Sequence, residues 1–139
     1  MTDKFSSSVR SYNMSRIRSK NSKPEVLVRK YLFARGFRYR KNVRTLPGTP
    51  DIVLPKYKAC IFVNGCFWHK HDCPYFRMPS SNVDYWQPKL IRNMERDCEN
   101  EALLRELGWH VIVVWECELK KKVREKRLED LVLEIVLLA

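Results

Sequence analysis

Asp51-Ile52-Val53-Leu54-Pro55-Lys56-Tyr57-Lys58-Ala59-Cys60-Ile61-Phe62-Val63 decides the fold class. Ile52–Leu54 and Ala59–Val63 are short, nearly continuous apolar runs, as expected of central strands covered on both faces. Upstream, Leu46-Pro47-Gly48-Thr49-Pro50 breaks the backbone, so Asp51 starts a strand. Before the break, Phe37 and Tyr39 alternate with Arg38 and Arg40 as a half-buried strand does. Further upstream a helix should begin near Ser22. Ser22 and Glu25 have capping-box spacing, Pro24 fits the first turn, Val26, Leu27, Leu32 and Phe33 supply an apolar face, and Gly36 ends it. Downstream, residues 64–83 have no regular period and read as an ordered loop. A helix follows from about Pro88 to Leu107, with Leu90, Met94, Cys98 and Ala102 at fourfold spacing and Gly108 as its stop. Trp109–Trp115 reads as a strand. From about Glu125 to Leu138 a stripe of Leu128, Leu131, Val132, Ile135 and Leu138 reads as a closing helix. The order is helix, three strands, helix, strand, helix, which is an α/β chain.

The 139 residues, 45% hydrophobic with only four glycines, can bury a core and exclude a disordered or collagen-like polymer. No apolar run reaches the roughly 18 residues of a membrane helix, and Met1–Val9 is polar where a secretory signal needs an apolar stretch. The expectation is a cytoplasmic protein without membrane contact. The net charge of +11 is unevenly placed: residues 1–44 hold 13 Lys and Arg against 2 Asp and Glu, and residues 45–139 hold 14 of each. Such density suits a polyanion, because each cation placed at a phosphate releases counterions, although a solvated charge run is the plain alternative. Residues 1–21 lack core-anchoring periodicity and read as a flexible basic arm, with Met14 and Ile17 as apolar points among Arg16, Arg18 and Lys20.

Five cysteines in a cytoplasmic chain are more often thiols or metal ligands than disulfides. Cys60 and Cys98 sit on apparent apolar faces and read as buried thiols. Cys66, His69, His71 and Cys73 crowd into eight residues, and Cys117 lies just past the last strand. A loop and a strand end can thus converge on one Zn²⁺, whose tetrahedral thiolate and imidazole set would pin the loop to the sheet. Spacing does not choose between His69 and His71. Asp51, at a strand start after Pro50, stands where a carboxylate can face Mg²⁺ beside a scissile phosphate; read alone it serves equally as a turn cap.

Cys60-Ile61-Phe62-Val63-Asn64-Gly65-Cys66-Phe67-Trp68-His69-Lys70-His71-Asp72-Cys73 supplies the context. With Leu46–Asp51, Asn93-Met94-Glu95-Arg96-Asp97, Leu107-Gly108-Trp109 and Trp115-Glu116-Cys117, it closely resembles the very-short-patch repair (Vsr) endonucleases, from about Asn13 to Cys117. The resemblance implies a restriction-endonuclease-like PD-(D/E)XK variant, with a central mixed sheet flanked by helices and a structural zinc site, in a single nuclease domain spanning residues 22–139. It implies nicking 5′ to the thymine of a T:G mismatch in double-stranded DNA. By the same match Asp51 and the backbone carbonyl of Val63 would bind Mg²⁺, Glu25 would lie near the metal, and His69 would be the general acid/base. Asp97 would orient the His69 imidazole, and Glu116 is either structural or close to the catalytic groups. Cys66, His71, Cys73 and Cys117 would hold zinc. Asn64 stands where the family commonly has a second catalytic histidine, and an amide cannot exchange a proton near neutrality.

Phe67, Trp68 and Trp86 match the family's aromatics that wedge into the base stack beside the mismatch, and Met14 and Ile17 would approach from the opposite groove. A wobble pair is cheaper to unstack than a matched one, and aromatic stacking recovers roughly 1–3 kcal/mol per base. Trp109, His110 and Trp115 read as core or sheet-face residues. A one-strand nick needs a single active site, which favours a monomer; a mismatch-repair partner protein is expected by family analogy only. Two competing readings are a zinc-stabilised DNA-binding module without nuclease activity and a restriction-type nuclease acting on matched DNA.

Overall fold

Ser22 caps the first helix as its spacing predicts: its Oγ accepts the Glu25 amide at 3.4 Å, a contact typically worth about 1 kcal/mol. The computed structural model describes residues 22–69, 71–74, 76–78 and 80–138. The arm expected at residues 1–21, with Met14 and Ile17, lies outside them. The elements are α1 (Lys23–Ala34), β1 (Arg40–Lys41), β2 (Ile52–Leu54), β3 (Ala59–Asn64), α2 (Val83–Glu106), β4 (His110–Trp115) and α3 (Arg124–Val136). Short 3-10 turns at Pro55–Tyr57 and Glu116–Leu119 follow β2 and β4.

The order matches the sequence reading, and the sheet is mixed. Strands run β1-β2-β3-β4, antiparallel between β1 and β2 and between β2 and β3, and parallel between β3 and β4. The parallel pair needs a crossover, and α2 supplies it. Alternation along each strand divides the core. Ile52, Leu54, Ala59, Ile61, Ile112 and Val114 face one side and pack on Val28 and Leu32 of α1 and Leu128, Leu131 and Ile135 of α3. Val53 and Cys60 face the other side, under Leu104 of α2, with Phe62 and Val111 against them. Each fully buried Leu or Ile contributes roughly 1.5–3 kcal/mol, so one slipped register would turn both cores inside out.

Four expectations need correction. The strand expected around Phe37–Arg40 shrinks to Arg40–Lys41, because Phe37 drops into the core and packs in a tilted ring contact with Tyr57, centroids 5.7 Å apart. On α1 the buried face is Val28 and Leu32 with Glu25 and Arg29, while Phe33 is exposed beneath the Arg38 guanidinium. Pro88 does not open α2; the helix begins at Val83, and Pro88 is inside it. The first turn holds because the Tyr85 and Trp86 amides donate to the Asn82 carbonyl and Trp86 packs on the loop aromatics. Finally, of the expected stripe only Leu90 is buried; Met94, Cys98 and Ala102 are exposed, and α2 buries Asn93 and Leu104 beside it. With 3.6 residues per turn, a strict fourfold spacing drifts by roughly 40° a step, so the stripe winds off the core. The predicted stripe on α3 is the buried one. Among the described residues no helix is long and apolar enough to cross a membrane.

Candidate active site and metal centre

The C-terminal ends of β3 and β4 and the N-terminal end of β2 meet at one edge of the sheet, and the site is built there. Leu46–Pro50 delivers Asp51 to it through a strained turn. Gly48 has φ +77° and Thr49 φ +48°, the latter unusual for a β-branched residue. A side chain at Gly48 would stand 3.1 Å from Asn100 Cβ and 3.2 Å from Phe62, so any larger residue there would push its neighbours aside as well as strain the backbone.

A cleft of about 560 Å³ opens at this edge, and Asp51, Val63, Asn64, Phe67, Trp68 and His69 all line it. Asp97, Glu101 and Glu116 complete its polar wall. Asp51 Oδ2 accepts the Val63 amide at 2.7 Å. Burial pushes the Asp51 carboxyl up to about 7; the Glu25 carboxyl alongside adds to this, and the Val63 amide and Arg29 oppose it. Glu25 is buried, ion-paired with Arg29 and joined by Asn42 Nδ2 at 3.1 Å. Its amide serves the helix cap while its carboxyl lies against Asp51, behind the cleft wall. The sequence reading missed Arg29 and Asn42, whose charge and amide look like ordinary surface groups until the fold brings them to Glu25.

Two crowded oxygen ligands in a poorly hydrated corner, with a strand-end backbone beside them, suit a hard divalent cation such as Mg²⁺. His69 Nδ1 is hydrogen-bonded to Asp97 on α2, which leaves Nε2 as the ring nitrogen for chemistry. Desolvation also raises the Glu101 carboxyl, with Asp97 adding to it and Arg105 and His69 opposing.

Behind the cleft wall, one ligand atom from each of Cys66, His71, Cys73 and Cys117 lies within 4.8 Å of the others. A tetrahedral Zn²⁺ with Zn–S of about 2.3 Å needs donor separations near 3.8 Å, and Cys117 Sγ and His71 Nδ1 are 3.5 Å apart. Burial pushes the Cys66 thiol up to about 12 and also raises Cys117. A bound cation would have to displace these thiol protons, which makes its affinity pH-dependent, and a Cys₃His set is a soft, tetrahedral donor group. His71 stacks on Trp115 with ring centroids 3.9 Å apart and planes 5° from parallel, so the last strand orients the imidazole directly. His69 stays outside this group; of the two imidazoles that spacing left open, His71 is the one that joins the cysteines. Cys60 is buried as expected, whereas Cys98 is exposed, so only the first is a core thiol.

Phe67, Trp68 and Trp86 form a half-buried aromatic cluster at the cleft mouth, with centroids 5.1–5.8 Å apart and edge-to-face. Phe76 stacks on Phe67 at 6.1 Å and Tyr85 edges onto Trp86 at 5.1 Å, two members that sequence reasoning passed over. The loop is pinned by short backbone bonds such as His71 N–H to the Cys66 carbonyl at 2.9 Å, and by Asn93 Nδ2 to the Trp68 carbonyl at 3.0 Å.

The comparisons with known proteins agree in one direction. A family model described as DNA mismatch endonuclease Vsr matches residues 2–75. The chain is 55% identical over 136 residues to the type II nicking enzyme V.NmeAIP of Neisseria meningitidis serogroup A, covering 97% of each. It is 50% identical to the type II nicking enzyme V.XorIIP of Xanthomonas oryzae over 86% of this chain and 88% of that one. It is also 37% identical to the DNA mismatch endonuclease Vsr of Escherichia coli over 96% of this chain and 85% of that protein.

Proposed function

The chain belongs to the DNA mismatch endonuclease Vsr family, and on that premise we propose that it nicks double-stranded DNA 5′ to the thymine of a T:G mismatch by Mg²⁺-dependent phosphodiester hydrolysis. The observation that carries this reading is the shared cleft, in which Asp51 and Val63, the oriented His69 imidazole and the rings of Phe67 and Trp68 line one space. The sheet, with Asp51 at a strand start, supports a PD-(D/E)XK-like nuclease domain over residues 22–139. Asp51 and the Val63 carbonyl would hold Mg²⁺, with Glu25 behind Asp51. When bound, Mg²⁺ polarises the phosphate and neutralises developing charge.

The residues of the chain do the rest. Asp97 holds His69 Nδ1, so Nε2 accepts the proton of the attacking water. Asn64, buried at the end of β3, donates a hydrogen bond to the phosphate or to the water but transfers no proton. Phe67, Trp68 and Trp86 part the base stack beside the weakly paired step, and selectivity follows from the cost of opening a matched pair. Cys66, His71, Cys73 and Cys117 would bind structural Zn²⁺ and so hold the loop that carries His69 and Phe67 and Trp68. Residues 1–21 contribute phosphate contacts, with Met14 and Ile17 as apolar points. The enzyme acts as a monomer in the cytoplasm, and a mismatch-repair partner protein fits the family role.

The test is to map nicks after incubation with Mg²⁺ on otherwise identical T:G and T:A duplexes. A single nick beside the mismatched thymine is expected. Equal cutting of both duplexes would identify a restriction-type nuclease, and tight binding without a nick would identify a binding module.

A further inference from the structure

The cleft contains a deficit. Among the described residues lining it are Asp51, Asp97, Glu101 and Glu116, one histidine, and neither Lys nor Arg. A groove walled by carboxylates repels a phosphodiester chain, so cations outside it must hold the duplex. The fold places one exposed group of them at the same edge of the sheet. β4 ends at Trp115 opposite Asn64, the turn Glu116–Leu119 passes the cleft at Glu116 and the metal cluster at Cys117, and Lys120, Lys121 and Lys122 follow before α3 begins. All three lysines are exposed, and Lys126, on the first turn of α3, is 85% exposed with Asp130 at 3.6 Å.

The direction of α3 agrees with this placement. Arg127 reaches the Val113 carbonyl and Glu118, while Leu137 and Leu138 lie beside Trp109 and His110 at the opposite end of β4. With a 3-10 rise of about 2.0 Å per residue, Lys120 stands roughly 8 Å beyond Glu116 along the turn, before its side chain extends. On a duplex with an axial rise of about 3.4 Å per base pair, that is about two to four steps from the reacting phosphate.

We propose that the turn Lys120–Lys122, with Lys126, is a second phosphate-binding surface that grips the duplex backbone flanking the mismatch, without reading sequence. The inference rests on the nicking function proposed above. It predicts a sequence-independent, salt-sensitive contribution to binding and none to the chemical step.

The test compares two charge-matched double variants of the full zinc-loaded chain: Lys121→Gln with Lys122→Gln, and Lys56→Gln with Lys58→Gln. Lys56 and Lys58 lie at the far end of the sheet, between β2 and β3. Binding to a T:G duplex is measured across a salt series, and nicking is measured at saturating DNA. The first variant should lower the salt slope by about 0.9 for each lysine–phosphate pair removed and weaken Kd on the order of tenfold, with the saturated nicking rate unchanged; the second should keep the wild-type slope. Wild-type slope and Kd in the first variant, or an equal loss in the second, overturn the inference while wild-type nicking leaves the function standing. A wild-type chain that does not bind the duplex overturns both.

Discussion

Replacing Asp51 with asparagine should stabilise the protein while destroying its activity. Burial raises the Asp51 carboxyl from 3.8 to about 7, so between these values the folded state holds a proton that the unfolded chain has released. Stability falls as pH rises through that window and stays lower above it. About three pH units correspond to about 4 kcal/mol at alkaline pH, and the part falling between pH 5 and pH 8 is about 3 kcal/mol. The amide introduced by Asp51→Asn keeps an oxygen for the Val63 N–H but carries no charge to desolvate beside Glu25. Urea unfolding of zinc-loaded wild type and Asp51→Asn, at pH 5 and pH 8 without added magnesium, measures the difference directly. The variant should be more stable by up to about 4 kcal/mol at pH 8 and nearly equal to wild type once the pH falls toward 4. Adding Mg²⁺ at pH 8 should stabilise wild type alone, because only the carboxylate gains from the ion. Equal stabilities at both pH values, or the same Mg²⁺ response in both proteins, would refute the assignment of a desolvated carboxylate that needs a cation.

Three further outcomes follow from the geometry. Asp97→Asn should lower the saturated nicking rate tenfold or more with little change in DNA affinity, since Asp97 orients His69; an unaltered rate would make the contact merely structural. Cys117→Ala should release zinc and lower Tm by on the order of 10 °C, equivalent to about 2–3 kcal/mol, as read by metal analysis and thermal melting; full zinc content in a folded variant would remove Cys117 from the site. Gly48→Ala should cost about 1–3 kcal/mol in urea unfolding, because φ +77° and the 3.1 Å approach to Asn100 both oppose a side chain.

Much of the architecture was legible because it depends on local pattern. Ile52–Leu54 and Ala59–Val63 are apolar without interruption and became the buried middle of the sheet, and the α3 stripe became its cover. The misplaced stripe on α2 shows where pattern stops. Between the buried Leu90 and Leu104, the inward side of that helix carries Asn93, Asp97, Asn100 and Glu101, the last three lining the cleft, so a search for apolar spacing alone followed Met94 and Cys98 outward. The clustering of Cys66, His71, Cys73 and Cys117 could be suspected from residue density, but separating His71 from His69 by geometry needed Trp115 and Asp97, partners 44 and 28 residues away in the chain. Similarly, nothing local to Glu25 announces that it meets Asp51. Long-range electrostatics of this kind is written in the fold rather than in any short stretch of it.

The metal role of Asp51 is tested by single-turnover nicking of a T:G duplex by wild type and Asp51→Ala, with duplex binding measured on the same samples. Wild type should nick the duplex, and the variant should still bind the mismatch while nicking at least a thousandfold more slowly, on the order of several kcal/mol of lost transition-state stabilisation. Undiminished nicking by Asp51→Ala would contradict that role.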